Sequence, residues 1–123
     1  MGYPQLAETG YAALDACIMS PGRAEAQVFA KVTRRMEQVL GDPSSSASAR
    51  VSVLHDNRRL WQAAAISCAD DANAMSETMR AGFINLAGFV DRHTSAVMRD
   101  QGKPQILFEI NRRVAAGLSS GAS

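Results

Sequence analysis

The residues able to do chemistry in this chain are two histidines (His55 and His93), two cysteines (Cys17 and Cys68) and the adjacent carboxylates Asp70 and Asp71. A zinc site needs imidazoles and thiolates at short, regular spacings. Neither histidine has another four residues away, and neither stands beside a cysteine pair, so no metal ligand is assigned. A Cys–His nucleophile would need a base held against Cys17, and nothing in the local sequence pairs that thiol with either imidazole. A buried structural thiol is the commoner outcome. Asp70-Asp71 opens the turn-forming stretch that runs to Met75, where capping and solvent account for paired carboxylates. The glycines form neither GxxxxGK[ST] nor a GxGxxG following a strand. No catalytic or cofactor-binding residue emerges, and the chain is not expected to be an enzyme.

The stretch Asn57-Arg58-Arg59-Leu60-Trp61, with the single tryptophan, is the centre of the chain. Basic residues beside an aromatic suit contact with RNA phosphates and stacking of a base. The net charge of only +1 and the lack of a continuous basic stripe weigh against that reading, so nucleic acid is not the expected partner. Helical spacing puts Arg58 on an apolar stripe, where an unpaired charge is costly. A salt bridge to Glu109 or Asp91 is expected, with Asn57 satisfied by backbone or side-chain partners.

These residues must be positioned by helices. The chain has 123 residues, enough for one core without staples, and is 46% hydrophobic, 20% charged and poor in aromatics, which favours an all-α fold. The expected architecture is a small bundle of three to four main helices with short loops, preceded by an arm or short helix over residues 1–19. In that arm Tyr11, Leu14, Cys17 and Ile18 share one side. Ser20-Pro21-Gly22 reads as a helix start, and helix continues to about Leu40, with Val28, Phe29, Val32, Met36, Val39 and Leu40 as its stripe. A second helix spans about 47–69, with a stripe of Val51, Leu54, Trp61, Ala65 and Cys68.

A third helix, capped by Ser76, reaches about Arg99 through Met79, Phe83, Leu86, Val90 and Val97, widened by Ile84 and Phe89. A fourth covers about 104–116 through Ile106, Leu107, Ile110 and Val114, with Gly117 as its stop and residues 119–123 as a frayed tail. Asn-Arg-Arg recurs at 111–113. Three residues are too few to argue duplication, and chance is the preferred reading. Six methionines, Met36, Met75, Met79 and Met98 among them, suit core filling and also an adaptable groove for a helical partner. With no apolar run of roughly 18 to 20 residues no membrane span is expected, and the separated cysteines point to a reducing, cytoplasmic compartment.

With these residues in view, the chain resembles the FlaF family of flagellar biosynthesis regulators. The resemblance rests on four blocks: Tyr11-Ala12 with Ser20-Pro21-Gly22-Arg23-Ala24-Glu25 and Phe29-Ala30-Lys31-Val32-Thr33-Arg34; Asn57-Arg58-Arg59-Leu60-Trp61; Met75-Ser76-Glu77 with Arg80-Ala81; and Ile106 through Gly117-Leu118. Family members usually carry Leu-Pro where this chain has Met75-Ser76. The blocks run in order over nearly the whole length, as one domain across 1–123. The resemblance implies a cytoplasmic, non-enzymatic factor that binds flagellin and assists its secretion and filament assembly, alongside the regulator FlbT. The alternative is post-transcriptional control of flagellin through RNA or a regulator protein. If an amphipathic flagellin helix is the partner, Tyr11, Leu14, Phe29, Arg58, Arg59, Trp61 and Phe83 are the candidate contacts. Core packing is the preferred reading for Phe29, Trp61 and Phe83.

Overall fold

A computed structural model describes residues 22–70 and 77–121, and among these it is an all-α bundle. Four helices follow one another: α1 (Gly22–Leu40), α2 (Ala47–Asp70), α3 (Glu77–Met98) and α4 (Gln105–Gly121). The expected arm, the Ser20-Pro21 and Ser76 caps, and Tyr11, Leu14 and Cys17 lie outside the described residues, as do the side chains of Met79, Phe83 and Cys68. No helix among the described residues is long and apolar enough to cross a membrane.

The α1–α2 turn is built by local side-chain chemistry. Pro43 presets the bend, Ser45 N–H donates to the Asp42 carbonyl at 3.0 Å, and the Asp42 carboxylate accepts from both Ser44 N–H (2.9 Å) and Ser44 Oγ–H (2.7 Å). Ser46 then caps α2, its Oγ accepting from Ala49 N–H at 3.1 Å. Gly41 closes α1 by donating to the Glu37 carbonyl, and a Cβ there would lie 2.7 Å from that oxygen. The α3–α4 corner uses a different device. Asp100 takes the left-handed conformation (φ 58°) while Gln101 N–H reaches back to the Ala96 carbonyl at 2.8 Å, closing the helix end. The His93 ring, stacked on Phe89, pins the corner through Nε2 to the Lys103 carbonyl at 2.7 Å.

Phe29 and Met36 from α1, Val53, Leu54 and Trp61 from α2, Leu86, Val90 and Val97 from α3, and Leu107, Ile110 and Val114 from α4 form one core. Each fully buried large side chain contributes about 1.5–3 kcal/mol. α1 packs most extensively on α4 and also on α2; α2 packs on α3; α3 scarcely meets α4. Several stripe positions rotate outward from their expected places: Val28, Val51 and Ile84 are exposed, while Thr33, Asn57, Thr94 and Asn111 are buried. Thr33 and Thr94 fit by donating to the carbonyls of Phe29 and Val90 one turn back. Gly117 does not stop α4, which continues to Gly121 and so takes in residues 119–121, expected to fray. Glycine lowers helix propensity by about 1 kcal/mol, which alone does not break a helix.

Ser44 holds the Asp42 carboxyl below its ordinary value of 3.8, through its side-chain bond first and its backbone bond second. A depressed carboxylate stabilises the fold above its unfolded value and stops doing so as pH falls through the lower folded value. Asp42→Asn is therefore expected to be less stable than the parent at neutral pH and equal to it once pH lies well below 3.8. Urea midpoints measured across that range check this.

Candidate functional site

The centre of the bundle is polar. Trp61 Nε1–H donates to Asn111 Oδ1 at 3.0 Å, and Asn111 Nδ2–H donates to Asn57 Oδ1 at 2.6 Å. An indole nitrogen only donates, so it fixes the orientation of Asn111, and Asn111 in turn fixes that of Asn57. The relay crosses from α2 to α4 and back, with both asparagines fully buried. Its far end, Asn57 Nδ2, has no acceptor among the described residues. Phe29 closes the relay from the α1 side, its ring edge-on to the indole (centroids 5.7 Å apart, planes at 86°).

Arg58 turns away from the core toward α3. Its Nη2 donates to the Asp91 carbonyl and to Ser95 Oγ, both at 2.7 Å. Its Nε lies 2.8 Å from the Asp91 carboxylate but off the hydrogen-bond direction, so that contact acts as an ion pair rather than a directed bond. Of the two expected acidic partners, the geometry selects Asp91. Arg59 is exposed and makes no ion pair among the described residues.

The second Asn-Arg-Arg triplet occupies the equivalent place on the opposite side. Asn111 meets Asn57, 54 residues away, and Arg112 pairs with Glu37 on α1 as Arg58 pairs with Asp91 on α3. Glu37 and Asp91 are separated by the same interval, as are the core pairs Met36 and Val90, Val53 and Leu107, and Leu54 and Phe108. The recurrence that seemed accidental in sequence thus marks two helix pairs, α2 with α3 and α4 with α1, joined at their asparagines.

Each pair holds a cleft beside its ion pair. The α4–α1 cleft, lined by Ala30, Thr33, Arg34, Glu37, Arg112 and Ala115, measures about 180 Å³. The α2–α3 cleft measures about 330 Å³; Trp61 and Val90 line it together with Ala65, Ala87 and Gly88, while Arg58 and Asp91 hold its polar edge. Where the smaller cleft has Thr33 and Arg34, the larger has Ala87 and Gly88, while in the opposite sense Trp61 stands where the smaller has Ala115. Ile66, next to Ala65, and Ile84, one turn before Ala87 and Gly88, are 66% and 60% exposed. Spacing alone had put Ile84 in the core and had not singled out Ile66.

Of the candidate contacts, Phe29 and Trp61 are inside the bundle at 1% and 2% exposure. Trp61 lines the cleft, and Phe29 packs edge-on against its indole, so neither is a free surface. Arg58 borders the cleft, Arg59 does not line it, and Tyr11, Leu14 and the Phe83 side chain are not described. No group of histidine, cysteine, aspartate and glutamate among the described residues is arranged to hold a metal ion.

In comparison with known proteins, the family described as flagellar protein FlaF matches residues 7–118. No curated protein and no solved structure matches the chain.

Asn111→Ala strands both the indole donor and Asn57 Oδ1, at roughly 1–3 kcal/mol for each buried group. A total loss of about 2–6 kcal/mol is expected. Arg58→Ala is expected to cost about 1–3 kcal/mol, whereas Arg59→Ala stays within about 0.5 kcal/mol. Urea unfolding followed by circular dichroism separates the three; equal losses at Arg58 and Arg59 would contradict the assigned geometry.

Proposed function

The chain belongs to the flagellar protein FlaF family, and from that premise we propose that it binds flagellin and assists its secretion and filament assembly, working with the regulator FlbT. Membership carries a flagellar role, in a family of biogenesis factors rather than known enzymes. The observation that carries the finer reading is the α2–α3 cleft: about 330 Å³, opened by Ala65, Ala87 and Gly88, with exposed Ile66 and Ile84 on the helices that form it.

Flagellin kept from assembling would expose amphipathic helices whose apolar faces need a cover. A cleft floored by an aromatic and walled by small residues accepts one large apolar side chain from such a helix, and Ile66 and Ile84 extend the contact to its neighbours. Arg58 and Asp91 are already paired with each other, so they offer a polar edge without an unpaired charge. The same pairing disfavours RNA as the ligand, since the guanidinium nearest the aromatic is engaged inside the protein.

The test is titration with monomeric flagellin at low and high salt, followed by heat or by Trp61 emission. Saturable binding that barely responds to salt is expected, because an apolar contact releases few counterions. The double change Ile66→Asp and Ile84→Asp should weaken binding by about tenfold or more while leaving the helix content intact, since both side chains are exposed. Absence of binding, or binding indifferent to both substitutions, would refute this reading. A steep loss of binding with salt would instead point to a polyanionic partner.

A further inference from the structure

The α2–α3 seam carries two rungs of different chemistry. α2 and α3 run antiparallel: Arg58 bonds to the Asp91 carbonyl and to Ser95 Oγ, while Ala65, two turns on, lines the cleft with Ala87 and Gly88, which precede Asp91. Arg59 and Arg92, the residues that follow the Arg58–Asp91 pair, therefore stand at one height, and Ile66 and Ile84 at another. Arg59 lies seven residues before Ile66 and Arg92 eight after Ile84, which sets the rungs about 10–12 Å apart along the helix axes. All four side chains are exposed. Neither Arg59 nor Arg92 makes a hydrogen bond or ion pair among the described residues, and Asp91, the carboxylate that lines the cleft, is held by Arg58. Gly88 helps to place one of the two guanidiniums: a Cβ there would lie 3.2 Å from Arg92 Nη1, so the glycine lets that group lie back along α3 to the rim of the cleft.

We propose that the helix received by the α2–α3 cleft carries carboxylates about two turns along from its large apolar side chains, and that Arg59 and Arg92 read them. The inference rests on the preceding reading, that a helix docks in this cleft, and adds the partner's charge pattern and its direction. A helix that seats its apolar side chains against Ile66, Ile84 and the cleft lays its next two turns beside the two free guanidiniums. A lysine there is repelled, a glutamine is indifferent, and a carboxylate is the complement. Each such pair is solvent-exposed and changes affinity by no more than about fivefold. The apolar rung therefore supplies most of the binding, and the cationic rung decides which way round the helix lies.

Three synthetic helical peptides labelled with fluorescein test this by anisotropy. Each has two leucines four residues apart, and seven residues on from each leucine it has glutamate, glutamine or lysine. The glutamate peptide is expected to bind about threefold or more tightly than the glutamine peptide, with the lysine peptide weakest. In the double variant Arg59→Glu and Arg92→Glu, which removes two exposed and unpaired groups and should keep the helix content, the order should reverse. High salt should level the three peptides without abolishing their binding, because exposed charges are screened and apolar contact is not. Equal affinities for the three, or an order that the double variant leaves unchanged, would overturn the charge reading while the cleft reading stands. Failure of all three to bind, or binding that survives Ile66→Asp with Ile84→Asp, would instead overturn the cleft reading and this inference with it.

Discussion

The hydrogen-bond relay from Trp61 through Asn111 to Asn57 is the constraint on which the arrangement of helices depends. Apolar side chains tolerate small shifts along a helix axis, because one methyl contact replaces another. A buried amide does not, since a shift of one residue leaves its donor or acceptor facing hydrocarbon. With α2 and α4 held in register by this relay, Arg58 and Arg112 each arrive one residue further round their helices, where Asp91 and Glu37 meet them. The triplet Asn-Arg-Arg is thus an instruction in two parts: the amide faces inward to its counterpart, and the first guanidinium ties the neighbouring helix. The second guanidinium differs between the copies: Arg59 makes no ion pair among the described residues, and Arg113 takes part in a further interaction.

The same constraint explains which parts of the fold were legible in the sequence. Helix extents follow from proline, glycine and serine punctuation, and α1 and α2 begin and end close to where those signals fall. Arg58 on an apolar stripe implied an acidic partner, and Asp91 was one of the two candidates. The inward faces were less legible, because hydrophobic spacing treats a polar residue as outward-facing. Counting Asn57, Thr33, Thr94 and Asn111 as outside rotates each stripe by part of a turn, which carried Val28, Val51 and Ile84 inward on paper though they face solvent. Only the partner across the bundle reveals that a buried amide is satisfied, and that partner is 54 residues away.

The cleft was illegible for a related reason. It is defined by side chains that are missing, and Ala65, Ala87 and Gly88 carry no signal until the helices that bear them are adjacent. The internal equivalence supplies a reference: with Thr33 and Arg34 in the corresponding places, the opposite seam keeps about 180 Å³, against about 330 Å³ here. Two halves built on one plan thus differ in the filling of a seam.

The pairing of α1 with α4 has a consequence for synthesis. α1 finds its most extensive packing against the helix that leaves the ribosome after the other three described here. Until α4 emerges, the inner face of α1, with Phe29 and Met36, has only α2 to cover it, and the indole of Trp61 lacks its amide acceptor. A nascent chain arrested before residue 105 therefore carries uncovered hydrocarbon. Completion of α4 supplies the helix against which that face of α1 packs most extensively.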